Sequence, residues 1–213
     1  MKPMSKCIHN QNAVMGITLS CIGLLLVSGI LLSAMITTVY LNGWRQHAEI
    51  QAIATRFSTV VEGIDTYFYE DTIFFVFPEK KFSYEVMLST ESIVVFRQTT
   101  GSMRFLAMKR FLPRLWPRSE NDSWQSGEEL HQYLAGGGLY GHTGNQSDPV
   151  PRIAIDALQQ ERETANGTYA LTPYAITINN PVYLEKIIVF YDSSTPLDGI
   201  AEGTMEFLVV YQQ

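Results

Sequence analysis

The chain has 213 residues, of which 46% are apolar and 17% are charged, with 15 basic and 21 acidic side chains. The charged fraction is below the roughly 25% that is usual in globular proteins, because residues 12–43 contain no Asp, Glu, Lys or Arg. The part that follows Lys6 has 13 basic and 21 acidic residues, a net charge of −8. This balance excludes a general nucleic-acid binder, which needs a positive surface. Two cysteines, Cys7 and Cys21, exclude a disulfide framework and a four-cysteine metal site.

Residues 14–41 form an uncharged apolar run of 28 residues. About 20 such residues span a bilayer core as a helix, and in lipid a helix satisfies its own backbone groups. A cleaved secretory signal is the alternative, but its apolar region has only about 7–15 residues. The sequence therefore predicts a retained transmembrane helix over 14–41.

The orientation follows from the short segment before this helix, which carries Lys2 and Lys6. Basic residues favour the cytoplasmic side, so residues 1–13 are predicted to be a cytoplasmic leader and the C-terminal part to lie outside the cell. Three Asn-x-Ser/Thr triplets fall on the exported side in segments expected to be rich in turns, and these give the candidate glycosylation sites Asn121, Asn145 and Asn166.

Beyond the membrane run, the apolar residues Ile50, Ile53, Phe57, Val61 and Ile64 recur at intervals of three and four. This spacing is typical of one face of a helix. The sequence predicts an amphipathic extension over 42–70 and one continuous helix from about 13 to about 66.

From residue 71 the period changes to two, which indicates strands. The runs of aromatic and β-branched residues predict strands at 72–77, 82–88, 92–97, 103–108, 169–178, 183–191 and 205–211, and short helices at 128–134 and 153–163. The predicted fold class is α+β, with the amphipathic helix packed on one antiparallel sheet of an extracytoplasmic domain over 71–213.

Residues 97–118 contain six basic residues and no acidic one, within a net-acidic domain. Apolar side chains alternate with the cations there, as in segments that contact anionic lipid or an acidic partner. The alternative is an ordinary sheet edge whose arginines pair with nearby carboxylates. The candidate contact residues are Arg104, Lys109, Arg110, Phe111, Arg114, Trp116 and Arg118.

No pattern of residues points to catalysis. The four histidines lack metal-ligand spacing, and the glycine-rich segment 135–141 lacks the Gly-Lys-Ser/Thr ending of a phosphate loop. We expect no enzymatic activity, no cofactor and no metal.

Residues 12–17 read Asn-Ala-Val-Met-Gly-Ile, and the segment after the long helix contains Phe-Pro-Glu at 77–79, Tyr-Glu-Val at 84–86 and Ser-Ile-Val-Val at 92–95. With these residues, the N-terminal half resembles type IV pilin-like proteins, and archaeal members in particular. Residues 12–17 are similar to the Ala-Val opening of archaeal pilin helices, and the three later motifs are similar to the hairpins that follow those helices. The resemblance implies that a membrane peptidase cuts the leader just before the apolar run, after Asn12 or after Ala13, and that the helix then packs with its copies in a filament.

The expected function is therefore that of a structural or assembly protein of the cell surface, either a pilin-like filament subunit or an uncut minor pilin-like membrane protein. The alternative is a single-pass, membrane-anchored module whose external domain binds a glycan, a protein or an anionic surface. The expected partners are the membrane and other copies of the chain.

Overall fold

The computed structural model describes the backbone of residues 8–97, 105–136, 140–193 and 199–213, and the side chains of these residues from Cys21 onward except Phe105. The chain is α+β, as predicted, and divides into two compact units, Met1–Gln46 and His47–Gln213. The elements in chain order are α1 (Ile8–Asp65), β1 (Asp71–Phe75), β2 (Glu85–Leu88), β3 (Ser92–Arg97), β4 (Phe105–Arg110), β5 (Leu115–Pro117), α2 (Gly127–Gly136), β6 (Val150–Pro151), α3 (Arg152–Leu171), β7 (Tyr174–Ile176), β8 (Val182–Asp192) and β9 (Gly203–Gln212).

Helix α1 begins at Ile8, about five residues before the predicted start, and ends at Asp65, close to the predicted end. Its polar residues in the first unit do not interrupt the helix, because their hydroxyl groups bond to the helix itself. Thr37 Oγ1 donates to the carbonyl of Ser33 at 2.8 Å, and Thr38 Oγ1 donates to that of Ala34 at 2.7 Å. Such bonds satisfy the hydroxyl group without water, so threonine is tolerated in an apolar setting.

The strands of the second unit form two sheets, whereas a single sheet was predicted from the sequence. The first sheet has the order β1-β8-β9-β5, with β6 added along β8, and the second has the order β4-β3-β2-β7. Most pairs are antiparallel, but β5 pairs with β9 and β6 with β8 in parallel. Strands β5 and β6, which form these parallel pairs with longer strands, have only three and two residues, and the alternation of side chains did not indicate them. Alternation identifies a strand but not its partner, so the division into two sheets could not be predicted from the sequence.

The largest error in the strand assignment concerns residues 169–178. Helix α3 continues to Leu171, and only Tyr174–Ile176 form a strand. Hydroxyl groups of Thr164 and Thr168 donate to carbonyls one turn earlier, at 2.9 and 3.1 Å. These bonds satisfy the hydroxyl groups within the helix, and the helical backbone pattern continues to the bond from the amide of Thr172 to the carbonyl of Thr168 at 2.8 Å, despite the β-like composition.

The buried apolar side chains form two clusters. The first joins Ile50, Phe57 and Ile64 of α1 to residues of both sheets, including Leu88 and Leu184. The second lies around α2, α3 and the other face of the β8–β9 pair; its largest fully buried members are Trp116, Trp124, Phe207, Leu130, Leu134 and Ile155. The second unit therefore has its own apolar core, which includes the C-terminal part of α1.

Candidate functional site

The predicted basic contact segment is split between the surface and the core. Lys109 and Arg110, at the end of β4, are exposed, whereas Phe111 and Trp116 are only 5% and 1% exposed. The two aromatic side chains pack in the first and second apolar clusters. Contrary to the prediction, they are not surface anchors. Another of the seven candidates, Arg104, lies outside the described residues.

Arg118 is also buried, with 2% of its surface exposed. Its Nη1 donates to Glu161 Oε1 at 2.7 Å and its Nε donates to the backbone carbonyl of Trp124 at 2.9 Å. The guanidinium lies 3.8 Å from the ring centre of Trp124 and 4.9 Å from that of Trp116. A buried charge that is paired and stacked in this way holds α3 to the loop after β5. Arg118 therefore has a structural role, which corrects its assignment as a contact residue.

Two exposed cations of the segment, Arg110 and Arg114, line an open groove of about 600 Å³, whereas Lys109 does not. Val94 and Met108, on β3 and β4, contribute apolar surface, and the C-terminal half of α3 supplies Asn166 on the opposite side. Arg110 and Arg114 line the groove together with Glu91. Its volume lies within the range of about 300–1,000 Å³ that is usual for sites of small ligands.

Backbone hydrogen bonds fix the loop that carries Glu91. The amide of Phe111 donates to the carbonyl of Glu91 at 3.1 Å, and that of Leu115 donates to the carbonyl of Thr90 at 2.8 Å. Arg114 Nε pairs with Glu91 Oε1 at 3.2 Å, and both side chains are more than half exposed. The side of the groove that holds Arg110 and Arg114 is thus preformed.

A further cation, Arg162, lies near this groove and was missed in the sequence analysis. Burial lowers the pKa of Arg162, and the positive charge of Arg114 lowers it further. Its Nε is buried and makes no hydrogen bond in the described part of the chain. Arg162 is 48 positions after Arg114, so no local pattern in the sequence could connect the two.

A second group of titratable side chains links the segment between α1 and β1 to helix α2 and strand β8. The sequence patterns did not indicate this group. His131 Nε2 lies 3.3 Å from Glu70 Oε1, and His131 Nδ1 lies 2.6 Å from the carbonyl oxygen of Thr143. Glu70 Oε1 also accepts from the amide of Ile188 at 2.8 Å. The hydrogen bond with Glu70 raises the pKa of His131, and the same bond lowers the pKa of Glu70. Burial raises the pKa of the neighbouring Glu185.

The three predicted glycosylation sites differ in setting. Asn121 and Asn145 are exposed and lie in turns, as expected. Asn145 Oδ1 accepts from both the amide and the hydroxyl of Ser147, at 3.0 and 2.9 Å. Asn166 instead lies within α3, half-buried, and its Oδ1 is buried without a hydrogen-bond partner among the described residues. The expectation of a turn at Asn166 is therefore wrong.

The residues expected at the leader cleavage site, Asn12 and Ala13, lie within α1, and the structure describes only their backbone. In the part of the chain whose side chains the structure describes, α1 is the one helix long and apolar enough to cross a membrane. None of its most apolar stretch is buried. A long apolar helix of this kind near the N-terminus is consistent with membrane anchoring.

In the part of the chain with described side chains, no three His, Cys, Asp or Glu residues are grouped so that they could hold a metal ion. Comparison of the chain with protein-family models, curated proteins and solved structures gives no match. The class that the structure itself defines is an α+β protein with a long apolar N-terminal helix and antiparallel sheets.

Proposed function

We propose that this protein is a structural subunit of the cell surface, pilin-like in organisation, anchored by a single transmembrane helix with its leader in the cytoplasm and its second unit outside. The observation that carries this proposal is the change of environment along α1. Its first part exposes large apolar side chains over 57–74% of their surface, whereas Ile50, Phe57 and Ile64 are fully buried.

The exposed apolar segment requires a partner. Contiguous apolar patches of this extent are not stable in water and mark contacts with a membrane or with other proteins. An uncharged helix is compatible both with lipid and with a bundle of identical helices, since both surroundings are apolar. A subunit that is first inserted in a membrane and later packed into an assembly needs a helix with this property.

The C-terminal part of α1 is fixed in the second unit by more than apolar contacts. Lys186 Nζ donates to the carbonyls of Asp65 and Tyr67, at 2.9 and 2.6 Å, and pairs with Glu206 Oε2 at 2.8 Å. A cation at this position satisfies carbonyls that a helix end leaves without partners. Such an attachment suits a structural subunit, in which the helix and the external domain must stay joined under load.

The test is mass spectrometry of the native N-terminus combined with electron microscopy of material sheared from cells. A filament subunit is expected to begin at or next to Ala13 and to be present in sheared filaments. A protein that keeps Met1 and stays in the membrane fraction would contradict the filament role. Complete release of the protein from membranes by high salt would contradict the anchor itself.

The groove on the second unit favours a second candidate, a membrane-anchored binding module. A binding module is expected to be monomeric in detergent and absent from sheared filaments, whereas a structural subunit is expected to assemble. Size-exclusion chromatography of the full chain in detergent, together with the shearing experiment, distinguishes the two.

A further inference from the structure

We propose that the groove between the β3–β4 face and the C-terminal half of α3 binds a carboxylate-bearing sugar, such as a uronic acid residue of an acidic polysaccharide. This inference does not depend on filament formation, because it concerns only side chains of the second unit.

The charges around the groove favour an anion. Arg110 is exposed and makes no salt bridge or side-chain hydrogen bond in the described structure. Among the described residues Arg114 pairs with Glu91, which is largely exposed, while Arg162 is close enough for the two guanidinium groups to repel each other. Glu163 also lies near Arg162, but two carboxylates do not neutralise three guanidinium groups. A bound carboxylate would reduce this repulsion and accept hydrogen bonds from Arg110 and Arg114, which are matched to its geometry.

The other lining groups favour a sugar over a simple inorganic anion. Val94 and Met108 offer an apolar surface on which the C–H face of a sugar ring can lie. The Glu91 carboxylate, which pairs with Arg114 through Oε1, can also accept hydrogen bonds from a ligand, because more than half of its side chain is exposed. Sugar hydroxyl groups supply donors for this carboxylate, whereas a simple inorganic anion supplies only acceptors. A small number of polar groups around an apolar surface is typical of small-ligand sites.

The experiment is isothermal titration calorimetry of the full chain in detergent micelles with a trimer of galacturonic acid. The matched ligands are a neutral galactose trimer and triglutamate, each titrated at about 1 mM. We expect the acidic trisaccharide to bind, and its binding to weaken as salt rises from about 0.1 to about 1 M, since the screening length falls from about 10 to about 3 Å. Binding of the neutral trimer or of triglutamate with equal affinity would overturn the assignment of the ligand, and no binding of any of the three would overturn the site.

The position of the site is tested with a matched pair of variants on β4. Arg110→Gln removes a groove cation, whereas Lys109→Gln makes the same change of charge on the neighbouring residue, which does not line the groove. Successive residues of a strand point to opposite faces, so only the first should matter. We expect affinity for the acidic trisaccharide to fall at least tenfold in Arg110→Gln, the usual loss for a charge-assisted hydrogen bond.

Lys109→Gln is expected to change the affinity less than twofold. Both side chains are exposed, so the two variants should unfold at the temperature of the wild type, which circular dichroism checks. Equal losses of affinity in the two variants would show a diffuse electrostatic effect and overturn the proposed groove.

Discussion

Along helix α1, two segments that both carry large apolar side chains have opposite surroundings. Large side chains from Ile22 to Trp44 are exposed over more than half of their surface, whereas Ile50, Ile53, Phe57 and Ile64 are no more than 3% exposed. The first segment is apolar on all sides, and the second is apolar on one face, with Thr55 and Arg56 exposed on the other. A helix at the surface of a globular domain buries only one of its faces, so a helix that is apolar all round needs an environment other than water.

The largest effect is expected when charge is placed in the exposed segment. In the double variant Leu26→Arg with Ile30→Arg, each arginine should disfavour membrane insertion by about 3 kcal/mol near the helix centre. The measurement is the fraction of protein that remains in the membrane pellet after alkaline extraction. Leu26→Met with Ile30→Leu is the control, and equal retention of both variants would contradict a membrane-spanning role for this segment.

A smaller loss is expected in the buried segment. Phe57 packs edge-on against Phe75, with ring centres 5.2 Å apart, and stacks on Phe77 at 5.8 Å. Phe57→Ala should lower the free energy of unfolding of the second unit by about 3–5 kcal/mol. The exposed Thr55→Ala on the same helix should change it by no more than about 0.5 kcal/mol. Denaturant unfolding followed by tryptophan fluorescence measures both, and similar values would mean that this face of the helix is not part of the core.

The attachment at the end of α1 should contribute less than the buried apolar face. Lys186→Met keeps the length of the buried side chain but leaves the carbonyls of Asp65 and Tyr67 without their donor. We expect a loss of about 2 kcal/mol, the usual value for hydrogen bonds to a charged group. The control is Lys80→Met, whose pair with Glu49 is partly exposed and should contribute less than about 1 kcal/mol. The two melting temperatures decide between a specific attachment and a general effect of lost charge.

The smallest effect, and the one that depends on pH, concerns the pair of Glu70 and His131. The pKa of His131 is raised from 6.5 and that of Glu70 is lowered from 4.5, in both cases first by their mutual hydrogen bond. The contribution of His131 is complete below pH 6.5 and is lost as the pH rises through its raised pKa. The contribution of Glu70 is complete above pH 4.5 and is lost as the pH falls through its lowered pKa.

The stabilisation by this pair should therefore be greatest between pH 4.5 and 6.5. Because Glu70 is about half exposed, we expect no more than about 0.5 kcal/mol. Unfolding curves of His131→Gln and Glu70→Gln at pH 5.5 and 8, with the double variant to complete the cycle, measure the coupling. A coupling that is equal at both pH values would contradict an ionised pair.

Much of the secondary structure could be predicted from local patterns, and the exceptions have identifiable causes. Strand β3 was predicted with the bounds that the structure has, because the run of β-branched and aromatic residues at 93–96 is uninterrupted. The segment 169–178 was assigned to a strand because its Tyr, Thr and Ile residues favour strands, but the backbone of α3 remains helical to Leu171. Trp116 and Arg118 were predicted to contact a membrane or a partner because apolar side chains alternate with cations in residues 97–118, yet both are buried, with cation–π stacking between them and a pair between Arg118 and Glu161.

The long apolar helix and the change from helical to strand periodicity near residue 70 follow from the local sequence, because both depend on the spacing of neighbouring residues along the chain. The cations of residues 97–118 that are available to a ligand are instead set by the tertiary structure. It does so by bringing Arg114 close to Arg162 and by pairing Arg118 with Glu161. Burial and charge pairing depend on residues that are distant in the sequence, and no local pattern contains that information.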